Sequence, residues 1–274
     1  MASGQFPDRA IGRIHKRFAP IDPSSSREAL GQIGGSGDLE ADIALCSLQT
    51  IEPLMMKYLP RGGKILEAGS GRGRWVFYLR RKGYNVVGLE IARAEIAAAK
   101  AFDSSVPITE GNVLHTGFPD ASFDAMISLG VVEHFEEGPG GALDEARRIL
   151  KTGAVFLVTV PTQNFVRVAL FNRIKNLQNS FRRIKGTHMA FEEYRYSRRQ
   201  FELLVRRSGF DIIERVPDDF LPPLSMGLYT ESRFLQDSTR QWRLNSIGRI
   251  VASLLNLYSP RLHSSGTLWV CRSR

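Results

Sequence analysis

Short apolar runs and amphipathic runs alternate along most of this chain, which is the pattern of a domain that mixes strands and helices. Runs rich in apolar or β-branched residues predict strands, and four of them cover residues 84–90, 107–109, 210–216 and 267–271. A helical pattern runs from Leu39 to Tyr58, where apolar residues recur three or four positions apart. Pro53 interrupts this pattern, so we expect either two helices or one kinked helix.

The segment 64–75 combines three signals in a row. The apolar pair Ile65-Leu66 ends at Glu67, three glycines follow at positions 69, 71 and 73, and an amphipathic run begins at Arg74. This order predicts a strand, a tight turn and a helix, because the turn needs backbone conformations that glycine adopts freely. Free N–H groups at the start of such a helix face the position where a doubly wound sheet binds a nucleotide.

The spacing around the turn narrows the choice of nucleotide. The glycines follow the order G-x-G-x-G, whereas the dinucleotide fingerprint is G-x-G-x-x-G, which argues against a nicotinamide oxidoreductase. Glu90 follows Gly69 by 21 residues, near the roughly 20 residues expected of an acid that accepts hydrogen bonds from ribose hydroxyls. Asn112 follows the predicted strand at 107–109, and its amide oxygen is also an acceptor.

Five segments in this order resemble the class I S-adenosylmethionine-dependent methyltransferases, of the small-molecule type with a methyltransferase-11-like domain. They cover residues 64–75, 84–91, 110–113, 118–135 and 146–161. The resemblance is good over 41–162 and loose over 190–274. It implies an α/β fold with a Rossmann-like, doubly wound seven-stranded sheet of order 3-2-1-4-5-7-6, whose last strand is antiparallel. The methyltransferase domain is expected over 41–274, with helical cap insertions near 163–190 and 219–264.

The same resemblance implies S-adenosyl-L-methionine as the cofactor and assigns residues to its site. The expected cofactor-binding residues are Glu67, Gly69, Ser70, Gly71, Gly73, Glu90, Ile91, Asn112, Val113, Leu129 and Gly130. Asn112 stands where the family usually carries Asp. No metal is expected, and Cys46 and Cys271 form no C-x-x-C pair.

Glu133 and His134 come directly after the fourth strand that the resemblance implies, and they are the expected catalytic residues. Histidine titrates near neutral pH, so His134 is a candidate base for an acceptor hydroxyl. The alternative is that His134 is structural and that Glu133 orders the loop or bonds the cofactor. Residues 128–135 also resemble cyclopropane fatty-acid synthases, which leaves a lipid-modifying synthase as an alternative function. A non-catalytic cofactor-binding protein with a docking cap is another.

The net charge of +9 is concentrated in two stretches. Residues 163–186 carry six basic and no acidic residues, and residues 240–261 carry four basic and no acidic residues. Both stretches have apolar residues at helical spacing, so we expect cap helices that pack on the sheet. The alternative is a pair of basic amphipathic surfaces in peripheral contact with an anionic membrane or substrate. No recognised RNA module is present, so nucleic acid is not an expected partner.

Residues 1–40 are polar and rich in glycine and serine, which predicts a flexible segment, either a frayed tail or a lid over the cofactor. The chain has no apolar run of the roughly 20 residues that span a bilayer and no apolar secretory signal at its start. A cytoplasmic location is therefore expected. The expected acceptor is a small-molecule or lipid-like compound.

Overall fold

The computed structural model describes residues 38–164 and 189–274, together with residues 11, 14–20, 167, 168, 172 and 177. The strands within these residues are β1 (His15–Pro20), β2 (Lys64–Ala68), β3 (Asn85–Glu90), β4 (Ile108–Glu110), β5 (Phe123–Leu129), β6 (Leu150–Pro161), β7 (Met189–Arg195), β8 (Phe210–Asp218) and β9 (Gly266–Ser273). The α-helices are α1 (Leu39–Leu45), α2 (Glu52–Tyr58), α3 (Arg74–Arg81), α4 (Arg93–Phe102), α5 (Gly140–Ile149), α6 (Arg198–Arg207), α7 (Met226–Glu231) and α8 (Ser246–Tyr258).

Seven of these strands form one sheet in the order β4-β3-β2-β5-β6-β9-β8. Neighbouring strands from β4 to β6 are parallel, whereas β9 is antiparallel to both β6 and β8. Numbered within the sheet alone, the order is 3-2-1-4-5-7-6 with an antiparallel last strand, so the predicted topology is confirmed. The carboxyl ends of β2 to β6 and β8 consequently meet at one edge of the sheet, which we call the ligand edge.

Helices cover both faces of the sheet, because successive residues of a strand point to opposite faces. Ile65 of β2 packs with α1, α2, α3 and α4 in one apolar cluster, and the next residue, Leu66, packs with α5 and α6 in the other. The buried strands are therefore apolar on both sides. Because the strands are packed between helices on both faces, the turns at the ligand edge are held in fixed positions.

The helical pattern between Leu39 and Tyr58 forms two helices, as one of the two sequence alternatives predicts. The side chain of Asp38 caps α1 by accepting from the backbone N–H groups of Glu40 and Ala41. Pro53 lies in the first turn of α2, where the missing N–H of proline costs nothing. A short 3₁₀ helix, Cys46–Leu48, separates the two.

The expectation of a loop-like segment over residues 1–40 is wrong for His15–Pro20, which pairs with β7 as an antiparallel two-stranded sheet. Arg17 forms ion pairs with two acids of β7, at 2.8 Å from Glu192 and 3.2 Å from Glu193. Cross-strand charge pairs of this kind stabilise a strand whose own sequence has little β-propensity. Most of the segment to which the lid hypothesis applies lies outside the described residues.

The insertion between β8 and β9 forms a helical cap that contains α7, α8 and two 3₁₀ turns, Arg233–Leu235 and Pro260–Leu262. Buried Asp219 anchors it at the ligand edge, where its carboxylate accepts from the N–H of Phe220 at 2.8 Å and the hydroxyl of Ser225 at 3.2 Å. The other predicted insertion, near 163–190, lies mostly outside the described residues. None of the described helices combines the length and apolar character needed to cross a bilayer.

Candidate active site

The glycine turn between β2 and α3 is open to a ligand at its middle residue. Gly69, Gly71 and Gly73 have φ angles of 75°, 53° and 77°, in the left-handed region that strains other residues. A Cβ on Gly69 would lie 2.4 Å from Cγ2 of Val131, whereas a Cβ on Gly71 would meet no described atom within 4 Å. The backbone at Gly71 is therefore the part of the turn that a ligand is able to approach.

Glu90 ties this open part of the turn to the end of β3. One carboxylate oxygen accepts from the N–H of Gly71 at 2.7 Å, and the other accepts from the N–H groups of Ile91 and Ala92, both at 2.9 Å. Charge-assisted hydrogen bonds of this kind are short and strong. A carboxylate has about four lone-pair sites, so about one remains for the predicted bond to a ribose hydroxyl.

Glu67 and Ser70 place unsatisfied polar atoms beside the turn. Both residues are buried, and within the described part of the chain neither Oε2 of Glu67 nor Oγ of Ser70 has a hydrogen-bond partner. Burial raises the pKa of Glu67 to about 8, although the Arg74 guanidinium partly opposes this effect. Such a carboxyl group is mostly neutral at pH 7 and ionises when a cation lies beside it. The ammonium and sulfonium groups of S-adenosylmethionine fit this requirement.

The predicted cofactor residues after β3 and β4 take different positions. Ile91 is 64% exposed, which suits an apolar contact with a flat base. The Oδ1 atom of Asn112 accepts from the N–H of Leu114 at 2.9 Å, so the predicted bond to the adenine amino group would share an oxygen that already has a donor. Val113 is buried in the core cluster of the α5 face, and its side chain contributes to packing.

The loop after β5 carries the two predicted catalytic residues. Leu129 ends the strand, and Gly130 is exposed with a φ of 70°. Glu133 is only 1% exposed, and its Oε2 has no hydrogen-bond partner among the described residues. Burial raises the pKa of Glu133 to about 7. This carboxyl group therefore titrates near neutral pH while it is shielded from solvent.

His134 is half-buried and held by a backbone carbonyl of β7. Its Nδ1 lies 2.8 Å from the carbonyl oxygen of Glu192. A carbonyl oxygen only accepts, so Nδ1 carries the hydrogen, and in the neutral ring Nε2 is then the basic atom. β7 thus orients His134, although the sequence alone gave no reason to bring Glu192 to this loop.

Two further polar groups lie near Glu133. The hydroxyl of Tyr196, after β7, and Oδ1 of Asp218, at the end of β8, are buried and have no hydrogen-bond partner among the residues described. Burial raises the pKa of Tyr196, and the charge of Glu133 raises it further. Burial, together with the Asp219 carboxylate, raises the pKa of Asp218 to about 7. An acid at the ligand end of a predicted strand was the available signal for Asp218.

Three acids with raised pKa therefore share the ligand edge, and we call Glu67, Glu133 and Asp218 the site acids. Asp218 raises the pKa of Glu133, and Arg74 lowers the pKa of both Glu67 and Asp218. Asp218 therefore acts on Glu133 directly, whereas Glu67 and Asp218 are linked through Arg74, which acts on both. Burial is the main cause in all three cases, and a neighbouring carboxylate adds to it: Glu90 for Glu67, Asp218 for Glu133 and Asp219 for Asp218. Positive charge that enters the site would favour the ionised forms.

Comparison with known proteins agrees with this geometry. A family model described as a methyltransferase domain matches residues 41–215. The chain is 33% identical over 102 residues to a probable S-adenosylmethionine-dependent methyltransferase of Mycolicibacterium smegmatis, a match covering 37% of this chain and 39% of that protein. It is 25% identical over 170 residues to ajmaline N-methyltransferase of Rauvolfia serpentina, covering 57% of this chain and 56% of that enzyme. The chain thus spans less than two thirds of either relative's length.

The fold itself recurs among solved structures. An S-adenosylmethionine-dependent methyltransferase of Methanosarcina mazei superposes on this chain with a TM-score of 0.57 and 17% sequence identity. The superposition covers 81% of this chain and 97% of that chain. At such low identity it shows that the fold is shared.

Proposed function

This chain belongs to the class I S-adenosylmethionine-dependent methyltransferases, and we propose that it transfers the methyl group of its cofactor to a small-molecule or lipid-like acceptor. When bound, S-adenosylmethionine supplies a methyl group on a positively charged sulfur. The protein's part is then to align the acceptor, to exclude water and to accept a proton where the acceptor loses one.

The observation that carries the proposal is the set of unsatisfied buried polar atoms at the ligand edge. Oxygens of the site acids and the Ser70 hydroxyl lack hydrogen-bond partners within the described residues, although buried polar groups are normally satisfied. A cationic cofactor beside Glu67 would supply the missing countercharge. The open backbone at Gly71 and the Glu90 carboxylate would hold its nucleoside part.

We assign the proton-accepting role to Nε2 of His134. The hydrogen bond from Nδ1 to the Glu192 carbonyl fixes the ring and leaves Nε2 basic. Glu133 is buried beside it, so we assign it a supporting part: its carboxyl group would stabilise positive charge on His134 and hold the loop.

The small-molecule class of acceptor is supported by the named relative that methylates ajmaline. A lipid-like acceptor is supported by the apolar surface of the cap, which is described in the next subsection. Both classes of acceptor are compatible with a single basic ring nitrogen and with three acids whose pKa is raised by burial. Neither requires a charged acceptor.

The first test is calorimetric titration of the full chain with S-adenosylmethionine, S-adenosylhomocysteine and NAD in parallel. We expect micromolar affinity for the first two and no binding of NAD. Transfer of a labelled methyl group to panels of small and lipid-like acceptors follows. Binding of the cofactor without transfer to any acceptor would contradict the enzymatic proposal and favour a non-catalytic cofactor-binding protein.

The role of His134 is tested by comparing His134→Asn with His134→Ala. The asparagine amide keeps a donor for the Glu192 carbonyl but removes the basic nitrogen. If His134 is the base, both variants lose roughly 100-fold or more in kcat while the cofactor Kd stays within about twofold. If the residue only orders the loop, His134→Asn keeps its activity and His134→Ala does not.

A further inference from the structure

Helix α8 of the cap carries a stripe of large apolar side chains that face solvent. The exposed fractions of these side chains run from 49% for Ile247 to 86% for Tyr258. The stripe consists of Ile247, Ile250, Leu254, Leu257 and Tyr258. Monomeric proteins expose single apolar residues routinely, but a contiguous apolar patch usually marks an interaction surface.

The stripe is a second apolar face of α8, in addition to the face that holds the helix on the cap. At about 100° per residue, its five members fall within one arc of about 100°. Val251 and Leu255 lie beside that arc and pack against the small cap core, which includes Leu228 and Leu244. The inward face therefore anchors α8 without the stripe, and packing within the cap does not explain why the stripe is apolar.

Phe234 is a further exposed apolar residue of the cap, in a segment bonded to the amino end of α8. It is 70% exposed, and its carbonyl oxygen accepts from the side-chain amide of Asn245 at 2.7 Å. Asn245 is the capping residue of α8, where its Oδ1 accepts from the N–H of Gly248 at 2.8 Å. The aromatic ring of Phe234 therefore belongs to an element tied directly to the start of the helix.

The charged residues of α8 and its immediate flanks are all of one sign. Residues 240–261 contain arginine and no acidic residue. Arg240 precedes α8, Arg249 lies within it and Arg261 follows it, and all three are exposed. An apolar stripe flanked by arginines is complementary to anionic lipid headgroups above an acyl-chain region. A helix of 13 residues is about 20 Å long, too short to cross the roughly 30 Å hydrocarbon core, so this surface suits a helix that lies in the plane of the membrane.

We propose that the exposed face of α8, with Phe234 and the flanking arginines, docks the protein on the surface of an anionic lipid bilayer. The apolar stripe enters the headgroup–acyl boundary, and the arginines contact the lipid phosphates. The proposal concerns where the protein lies and does not depend on the acceptor of the methyl group.

Co-sedimentation of the full chain with lipid vesicles tests the proposal. Vesicles of phosphatidylcholine mixed with phosphatidylglycerol should bind the protein, vesicles of phosphatidylcholine alone should not, and added salt should weaken the binding. The double variant Leu254→Ser/Leu257→Ser should reduce partitioning roughly tenfold or more. Arg249→Ser should reduce it about fivefold. These side chains are exposed, so thermal unfolding should stay close to that of the wild type.

The matched controls replace one exposed apolar residue and one exposed basic residue that lie outside the cap. Ile213 of β8 is 41% exposed, and Lys100 of α4 is exposed near the opposite end of the sheet. Ile213→Ser and Lys100→Ser should bind anionic vesicles within about twofold of the wild type. Equal losses in these controls would show that the effect is not specific to α8 and would overturn the proposal.

Three other results would also overturn it. The first is no binding to anionic vesicles, and the second is binding that the Leu254→Ser/Leu257→Ser variant retains. The third is a wild-type dimer, detected by sedimentation velocity, that the double variant dissociates while neither protein binds vesicles. In that case the stripe is an interface between two copies of the chain.

Discussion

The raised pKa of Glu67 predicts that cofactor binding is linked to the release of a proton. Burial raises this pKa from an ordinary value of 4.5 to about 8, so the carboxyl group is mostly protonated at pH 7 in the unliganded protein. A cation bound beside it favours the ionised form. The affinity for S-adenosylmethionine should therefore rise with pH as the proton becomes easier to remove.

The size of this effect follows from the ionised fraction of Glu67. With a pKa of about 8, that fraction grows from about 1% at pH 6.0 to about a quarter at pH 7.5. If the ionised form is the one that binds, affinity rises roughly 10- to 30-fold across this interval. The α-amino group of the cofactor, with a pKa near 7.7–8.0, loses about a quarter to two fifths of its charge by pH 7.5, which would reduce the rise in affinity by less than about twofold.

The stability of the unliganded protein should change in the opposite direction. Because the folded pKa of Glu67 is raised, the folded protein binds more protons than the unfolded chain between pH 4.5 and about 8. The contribution of Glu67 to the free energy of unfolding is complete below pH 4.5 and is lost as the pH rises through 8. Glu67→Gln, which mimics the neutral acid, should therefore be more thermostable than the wild type at pH 8.

Calorimetric titration with the cofactor across pH 6.0–7.5 measures how the affinity changes with pH. Repeating it at pH 7 in buffers of different ionisation enthalpy measures the number of protons released on binding. We expect close to one proton released by the wild type, and a reduced slope with fewer protons for Glu67→Gln. Glu145→Gln is the matched control. Glu145 is buried but already accepts from Arg148 and Thr116, each at 2.7 Å, and its pKa is lowered to about 2 chiefly by the Arg148 bond. Its removal should leave the slope unchanged.

Equal affinity of the wild type for the cofactor at pH 6.0 and 7.5, with no proton released, would refute a titrating role for Glu67. That role is also refuted if Glu67→Gln keeps the full slope and proton release, because the titrating group is then another residue. Glu133→Gln separates these contributions, since the pKa of Glu133 is raised to about 7. If the pH dependence of cofactor affinity disappears in Glu133→Gln alone, the group that binds the cation lies in the loop after β5.

The glycine turn and its acid give two further pairs of predictions. Glu90→Ala should weaken cofactor binding by about 2–4 kcal/mol in titration calorimetry, because three backbone N–H groups lose a charged acceptor. The control Glu110→Ala removes only an exposed ion pair with Arg93, so it should change the free energy of cofactor binding by less than about 1 kcal/mol. Equal losses in the two variants would contradict the role of Glu90. Gly69→Ala should destabilise the fold by roughly 1–3 kcal/mol in thermal or denaturant unfolding, because its Cβ would clash with Val131. Gly71→Ala should cost only about 1 kcal/mol of stability, from its left-handed backbone, because its Cβ would enter open space. It should weaken cofactor binding more, and a stability loss larger than that of Gly69→Ala would argue against an open Gly71.

Local sequence signals predicted the parts of the site that local geometry determines. The strand, the glycine turn and the helix at 64–75 form one continuous unit, and the distance from Gly69 to Glu90 reflects a single α/β repeat. The sheet order was implied by the resemblance of five such segments to the methyltransferase family, and the structure confirms it. Asn112 was correctly expected at the ligand edge after β4, but its bond to the Leu114 N–H depends on a loop conformation that residue types do not determine.

Contacts between distant segments were not predictable in the same way. β1 pairs with β7 across about 170 to 180 residues, and the glycine- and serine-rich sequence around β1 indicated a loop. The same pairing brings the Glu192 carbonyl to His134 and positions Tyr196 after the strand. Burial was also hidden from the sequence. Glu133 was expected either as a catalytic residue or as one that orders the loop or bonds the cofactor, and its almost complete burial was not part of that expectation. The interaction of Asp218 with Glu133 depends on the order of the last three strands.

The two proposals meet at Asp218 and Asp219. Asp218 ends β8 as one of the site acids, and the next residue, Asp219, anchors the cap through Ser225 and the N–H of Phe220. The cap that carries α8 therefore begins directly at the ligand edge, and β9 returns from it at Gly266, opposite Asp218. If the protein docks through α8, only the cap insertion between β8 and β9 separates the ligand edge from the membrane surface. An amphiphilic acceptor that partitions into the bilayer would then be concentrated near the site, whereas S-adenosylmethionine would still enter from water. Anionic vesicles should consequently lower the KM for such an acceptor and leave the Kd for the cofactor unchanged.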